Sequence, residues 1–190
     1  MRLKAFRPAK GGGFFQAGNT LLQHTMPSDS TVIETRLDVS RMAQGQRAGL
    51  AVFNGGKSYA LVSLTPVPRP LPQPLPREGG ETIKGEGSKY LLQYEVDGQI
   101  AATTAPLSIG EKMGVRLRVY INKEGQARFA YCLKNCRRSR HHSQWFSIGA
   151  PYQLVAGNFR GARVGLFSYN TDADSGIADF DYFHYTVSNK

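Results

Sequence analysis

Two acids two positions apart, Asp179 and Asp181, open the aromatic segment GIADFDYFHYTV at residues 176–187 of a 190-residue chain. Carboxylates at this spacing can serve as a catalytic pair, as ligands for a hard cation, or as fasteners of a strand end. Glycosidic-bond hydrolysis takes two carboxyl groups facing each other across the bond, about 5 to 9.5 Å apart, one of them kept protonated by its surroundings. Residues i and i+2 of a strand project to the same side roughly 7 Å apart, so separation alone admits the pair. Direction argues against it, because both acids approach a sugar from one side and no acid stands opposite. A calcium ion takes about six to eight oxygens, so a single carboxylate does not make a site.

Other residues offer binding chemistry. Arg116, Arg118, Tyr120 and Arg128 fall on the outward side of one predicted hairpin, a mixture suited to stacking on sugars or pairing with acids. Tyr120, Trp145 and Tyr169 are the candidate flat faces for a polysaccharide chain. RRSRHH at 137–142 concentrates positive charge, but no nucleic-acid motif surrounds it, and a solvated basic loop is the simpler reading. Cys132 and Cys136 lack the second ligand pair of a structural zinc site, so they read as ordinary thiols or a small loop-closing disulfide.

The elements that must position these groups are strands. VIETRLDV at 32–39 alternates Ile33, Thr35, Leu37 and Val39 inward with Glu34, Arg36 and Asp38 outward. Residues 48–64 form two apolar runs around Asn54-Gly55-Gly56, and residues 89–100 turn at Asp97-Gly98. In 115–133, Val115, Leu117, Val119 and Ile121 return as Ala127, Phe129, Tyr131 and Leu133. ARVGLFSYN at 162–170 alternates again, and the final segment places Asp179, Asp181, Phe183, Tyr185 and Val187 on one face. Many short strands, each with one apolar face, need a second layer to bury it. The expectation is an all-β, two-sheet antiparallel β-sandwich of the jelly-roll kind, a single domain over 1–190. It carries a Pro/Gly-rich insertion at about 65–89 and a basic loop at about 134–144.

Composition narrows the possibilities. The formal net charge is +10, which favours phosphate-rich or otherwise anionic partners without naming one. The basic start MRLKAFRPAK leads into GGGFFQAGN and not into an apolar run, so it does not read as a secretory signal. No stretch is long and apolar enough for a membrane span, and the default location is cytoplasmic.

Four stretches taken in order, AGNTLLQ (17–23), QRAGLAVFNGGKSYA (46–60), YQLVAGNFRGARVGLFSYN (152–170) and ADFDYFHY (178–185), resemble the C-terminal domain of glycoside hydrolase family 43 β-xylosidases and arabinosidases. The resemblance spans nearly the whole chain, apart from the insertion and the basic loop. It implies a concanavalin A-like β-sandwich of the kind that follows a five-bladed propeller in that family. The propeller holds the catalytic carboxylates, and nothing in this sequence resembles it. The resemblance therefore implies a non-catalytic accessory module, packed beside a glycosidase catalytic domain or contacting plant-type polysaccharide. It also implies a possible structural calcium with Asp181, which directly precedes Tyr182-Phe183, as a side-chain ligand. A small stand-alone glycosidase and a basic nucleic-acid-binding sandwich are the alternatives.

Overall fold

A computed structural model describes residues 1–9, 12–25, 28–54, 58–68, 88–110, 114–133, 144–154 and 161–188. Among these described residues, thirteen strands follow one another: β1 (Arg2–Lys4), β2 (Asn19–His24), β3 (Ser30–Asp38), β4 (Gln46–Asn54), β5 (Ser58–Pro66), β6 (Lys89–Val96) and β7 (Gln99–Thr103), then β8 (Leu107–Ser108), β9 (Gly114–Asn122), β10 (Gln126–Cys132), β11 (Phe146–Gln153), β12 (Ala162–Asn170) and β13 (Ile177–Ser188). One six-stranded sheet has the order β1-β13-β3-β9-β10-β11. The other has the order β2-β12-β4-β5-β6-β7, with β8 paired to β6. All pairings are antiparallel. This is the expected two-sheet sandwich.

Alternation decides the core. Ile33, Leu37, Val115, Leu117, Val119 and Phe129 from one sheet meet Leu50, Val52, Val62, Leu64, Leu92 and Leu166 from the other. Removing each such side chain from water contributes about 1.5–3 kcal/mol, which is why the inward faces hold the layers together. Turn chemistry fixes register between neighbours. Asp97 and Gly98 both adopt positive φ (49° and 86°), the conformation of a two-residue hairpin loop, and Gly125 (φ 77°) closes the β9–β10 hairpin.

A second hydrophobic cluster lies on the outward face of the seven-stranded sheet. A short 3-10 turn, Phe14–Gln16, lays Phe14 over Ala51, Phe53, Tyr59, Leu61, Phe167 and Tyr169. The first 24 residues thus touch both layers: β1 pairs with β13, Phe14 covers the opposite sheet, and β2 pairs with β12.

One sequence expectation changes. The last strand does not keep one phase: between Phe180 and Phe183, β13 advances three residues while β3 advances two, from Leu37 to Thr35. This bulge places Asp179 and Asp181 outward, whereas Phe183 and Tyr185 pack against the core. Around the insertion, β5 runs through Pro66 and β6 begins at Lys89. Residues 69–87 of that insertion and 134–143 of the basic loop, Cys136 included, lie outside the described residues.

Candidate functional site

Three central strands of the six-stranded sheet build the polar, outward-facing site. Register sets Glu34 of β3 opposite Arg118 of β9 on one side and opposite His184 of β13 on the other, with Arg36 opposite Arg116 one step along. The guanidinium of Arg118 donates to Glu34 Oε2 from Nε at 3.1 Å and from Nη2 at 2.6 Å. Arg116 donates to Oε1 from Nε at 2.9 Å, and the Tyr182 hydroxyl donates to the same oxygen at 2.7 Å. Burial alone would push the Glu34 carboxyl up, but the hydrogen bonds from Arg118, Arg116 and Tyr182 outweigh it and hold the group below its ordinary range. The same bond works the other way on Tyr182: burial first, then donation to a carboxylate, pushes its hydroxyl up to about 12.

Aromatic rings flank this ionic centre. The Tyr182 ring stacks on His184 with centroids 4.2 Å apart. Trp145, half-buried just ahead of β11, packs its ring against two guanidinium groups, with Arg118 Cζ 3.8 Å and Arg116 Cζ 4.9 Å from its ring centroid. Further along β9, Tyr120 is 41% exposed and stands opposite the exposed Arg128 of β10. The structure therefore brings Arg116, Arg118, Tyr120 and Arg128 onto one face, as their spacing predicts, and adds Trp145, which the spacing does not place there.

Tyr169 does not join them. It belongs to the other sheet and is 1% exposed, beneath the second hydrophobic cluster and beside Arg47, whose Cζ is 5.8 Å from its ring centroid. Its expected role as a sugar-stacking surface is corrected: strand alternation does put it outward, but the Phe14 segment covers that side. Around it runs a buried network in which Arg47 Nη1 pairs with Glu95 Oε2 at 2.6 Å and Tyr59 donates its hydroxyl to Oε1 of the same carboxylate. Burial and the Glu95 carboxylate push the Tyr59 hydroxyl well above the usual tyrosine range.

The opening acids are both matched by arginines. Asp179 accepts from Arg2 Nε at 2.7 Å and Nη2 at 3.1 Å, with Arg41 3.9 Å away, and Asp181 pairs with Arg36. Arg2 lies opposite Asp179 in the β1–β13 ladder, so this pair fastens the strand end. A guanidinium already occupying the Asp181 carboxylate leaves poor ground for calcium, and among the described residues no three His, Cys, Asp or Glu side chains converge on a metal position.

Glu34 and Tyr182 were missed as site residues. In the sequence Glu34 is one of two outward acids on its strand, with Asp38, and its meaning depends on which strand lies alongside.

A family model described as the β-xylosidase C-terminal concanavalin A-like domain matches residues 15–186. The chain belongs to this family. A β-xylosidase of Formosa agariphila is 27% identical over 174 residues, covering 90% of this chain but 24% of that protein. Among solved structures, a bifunctional GH43-CE protein of Bacteroides eggerthii superposes with a TM-score of 0.66 at 24% identity, over 100% of this chain and 21% of the other. An engineered GH43 glycoside hydrolase with endo-xylanase and exo-arabinofuranosidase activity gives 0.71 at 18% identity, over 98% and 34%. The xylan β-1,4-xylosidase of Bacillus halodurans C-125 gives 0.64 at 16% identity, over 97% and 32%. These likenesses confirm the sandwich, and the chain spans between 21% and 34% of the length of each of these four relatives.

Proposed function

We propose that this GH43-type C-terminal domain works as a non-catalytic accessory module, packing beside a glycosidase catalytic propeller and contributing a surface for plant-type polysaccharide such as xylan. The observation that carries this reading is the extent of the match: the C-terminal-domain model covers residues 15–186, while the alignment with the β-xylosidase relative covers only 24% of that protein. The acids support it as well, since Asp179 and Asp181 sit on one strand and both are neutralised by arginines. Projecting from one strand, the two do not face each other across a substrate, as a glycosidase pair must.

Two measurements test the proposal. Mixed with a separately produced GH43 propeller, the chain is expected to co-elute on size exclusion and to change turnover of nitrophenyl xyloside or arabinoside by that propeller. Reproducible turnover of either substrate by the chain alone, abolished by one Asp or Glu substitution, would favour the small stand-alone glycosidase instead.

A further inference from the structure

We infer that the outward face of the six-stranded sheet binds a polysaccharide bearing uronate carboxylates, with Tyr120 and Trp145 stacking on sugar rings and Arg128 pairing with a carboxylate. This rests on the accessory-module reading and names the ligand class of its surface.

Charge on the face is unbalanced in one place. Asp181 neutralises Arg36, and the single carboxylate of Glu34 is shared by Arg116 and Arg118. Arg128 is exposed and forms no ion pair with any described residue. Arg128 therefore carries a positive charge that no described carboxylate balances, and it lies directly opposite Tyr120. A neutral glycan would leave this excess unused, whereas a carboxylate can accept two parallel hydrogen bonds from a guanidinium.

The geometry suits a chain of sugars. Arg118 and Tyr120 are same-face neighbours on β9, about 7 Å apart, so Trp145 over Arg118 and Tyr120 beyond it form a row along the strand. Trp145 is already fixed: Arg118 packs on its ring, and Glu34 holds Arg118 through Nε and Nη2. An aromatic held in place before binding loses little freedom when a sugar stacks on it. The side-chain carbons of arginine and the faces of tyrosine and tryptophan supply apolar contact, and the charged tips supply selectivity.

Affinity gel electrophoresis and titration calorimetry test this with glucuronic-acid-substituted xylan, the same polymer after its carboxyls are reduced to alcohols, and a single-stranded oligonucleotide. The acidic xylan is expected to bind, and carboxyl reduction to weaken binding about tenfold or more, the equivalent of one charge-assisted contact. Tyr120→Ala and Arg128→Gln, both at exposed positions, are each expected to weaken it about three- to tenfold without moving the melting temperature. Equal affinity for the reduced polymer, no binding to either xylan, or indifference to both substitutions would overturn the inference. So would tighter binding of the oligonucleotide that is insensitive to Tyr120→Ala. Any of these results leaves the accessory reading to stand or fall separately on complex formation with the propeller.

Discussion

Thr35, fully buried on β3, donates its hydroxyl to the carbonyl of Tyr182 at 2.6 Å, inside the bulge of β13. A bulge takes a backbone carbonyl out of the ladder, and a buried carbonyl without a partner is costly. Thr35 supplies that partner from the neighbouring strand. In doing so it fixes the phase at which Tyr182 and His184 turn outward while Phe183 and Tyr185 turn in.

Replacing Thr35 by Val keeps the shape and removes the donor. Urea unfolding is expected to show a loss of about 1–3 kcal/mol, with most of it restored by Thr35→Ser. Equal stability of the Val and Ser variants would mean the bulge needs no donor.

Glu34→Gln leaves two guanidinium groups facing a neutral amide, and a loss of about 2–3 kcal/mol is expected near neutral pH, as for hydrogen bonds to charged groups. The pH dependence follows from the signs. The folded Glu34 carboxyl is held below its ordinary value of 4.5, so its stabilisation is present above that pH and drains away as pH falls through the folded value. Tyr182 is raised from 10.0 to about 12, so its share is intact below pH 10 and lost as pH climbs towards 12. Melting curves of both proteins are expected to separate most between these limits and to converge in acid; a gap that is constant down to pH 2 would contradict the assignment.

Gly149 has φ 74°, and a Cβ there would fall 2.1 Å from the Tyr94 ring, which also anchors β11 by donating its hydroxyl to the Ala150 carbonyl at 2.9 Å. Gly149→Ala combines a left-handed backbone penalty with overpacking, and a cost of about 2–4 kcal/mol is expected. Adding Tyr94→Leu in the same chain is expected to recover part of it in a double-mutant cycle, because the clash is with that ring. Strict additivity of the two substitutions would show that backbone strain alone is responsible.

With Arg36 already paired to Asp181, calcium and a chelator are expected to give the same melting temperature. Asp181→Asn is expected to cost no more than about 1 kcal/mol, as for a partly exposed ion pair. A calcium-dependent rise in melting temperature that vanishes in this variant would restore the metal role.

Strand positions were legible because period-two alternation is a local property: Val115 to Ile121 and Ala127 to Phe129 announce their inward face without reference to anything distant. The Asp97-Gly98 turn was legible for the same reason. What escaped depends on partners far along the chain. Tyr169 looks like an outward ring until Phe14, more than 150 residues earlier, is laid over it. The phase of β13 looked continuous because a bulge inserts a residue without changing composition, and only pairing with β3 reveals it. Glu34 read as one more solvent-facing acid, and its role arises from the register that sets Arg118 directly across.

The leading segment has a practical bearing on how this domain is dissected. A fragment started where the family likeness begins, at residue 15, would discard Phe14 and the β1 strand, uncovering Phe53, Tyr59 and Phe167 and leaving Asp179 with Arg41 but without Arg2. Such a fragment would display a sticky aromatic surface and is expected to aggregate where the longer chain does not. Boundaries drawn from likeness alone can therefore lie inside the smallest unit able to fold.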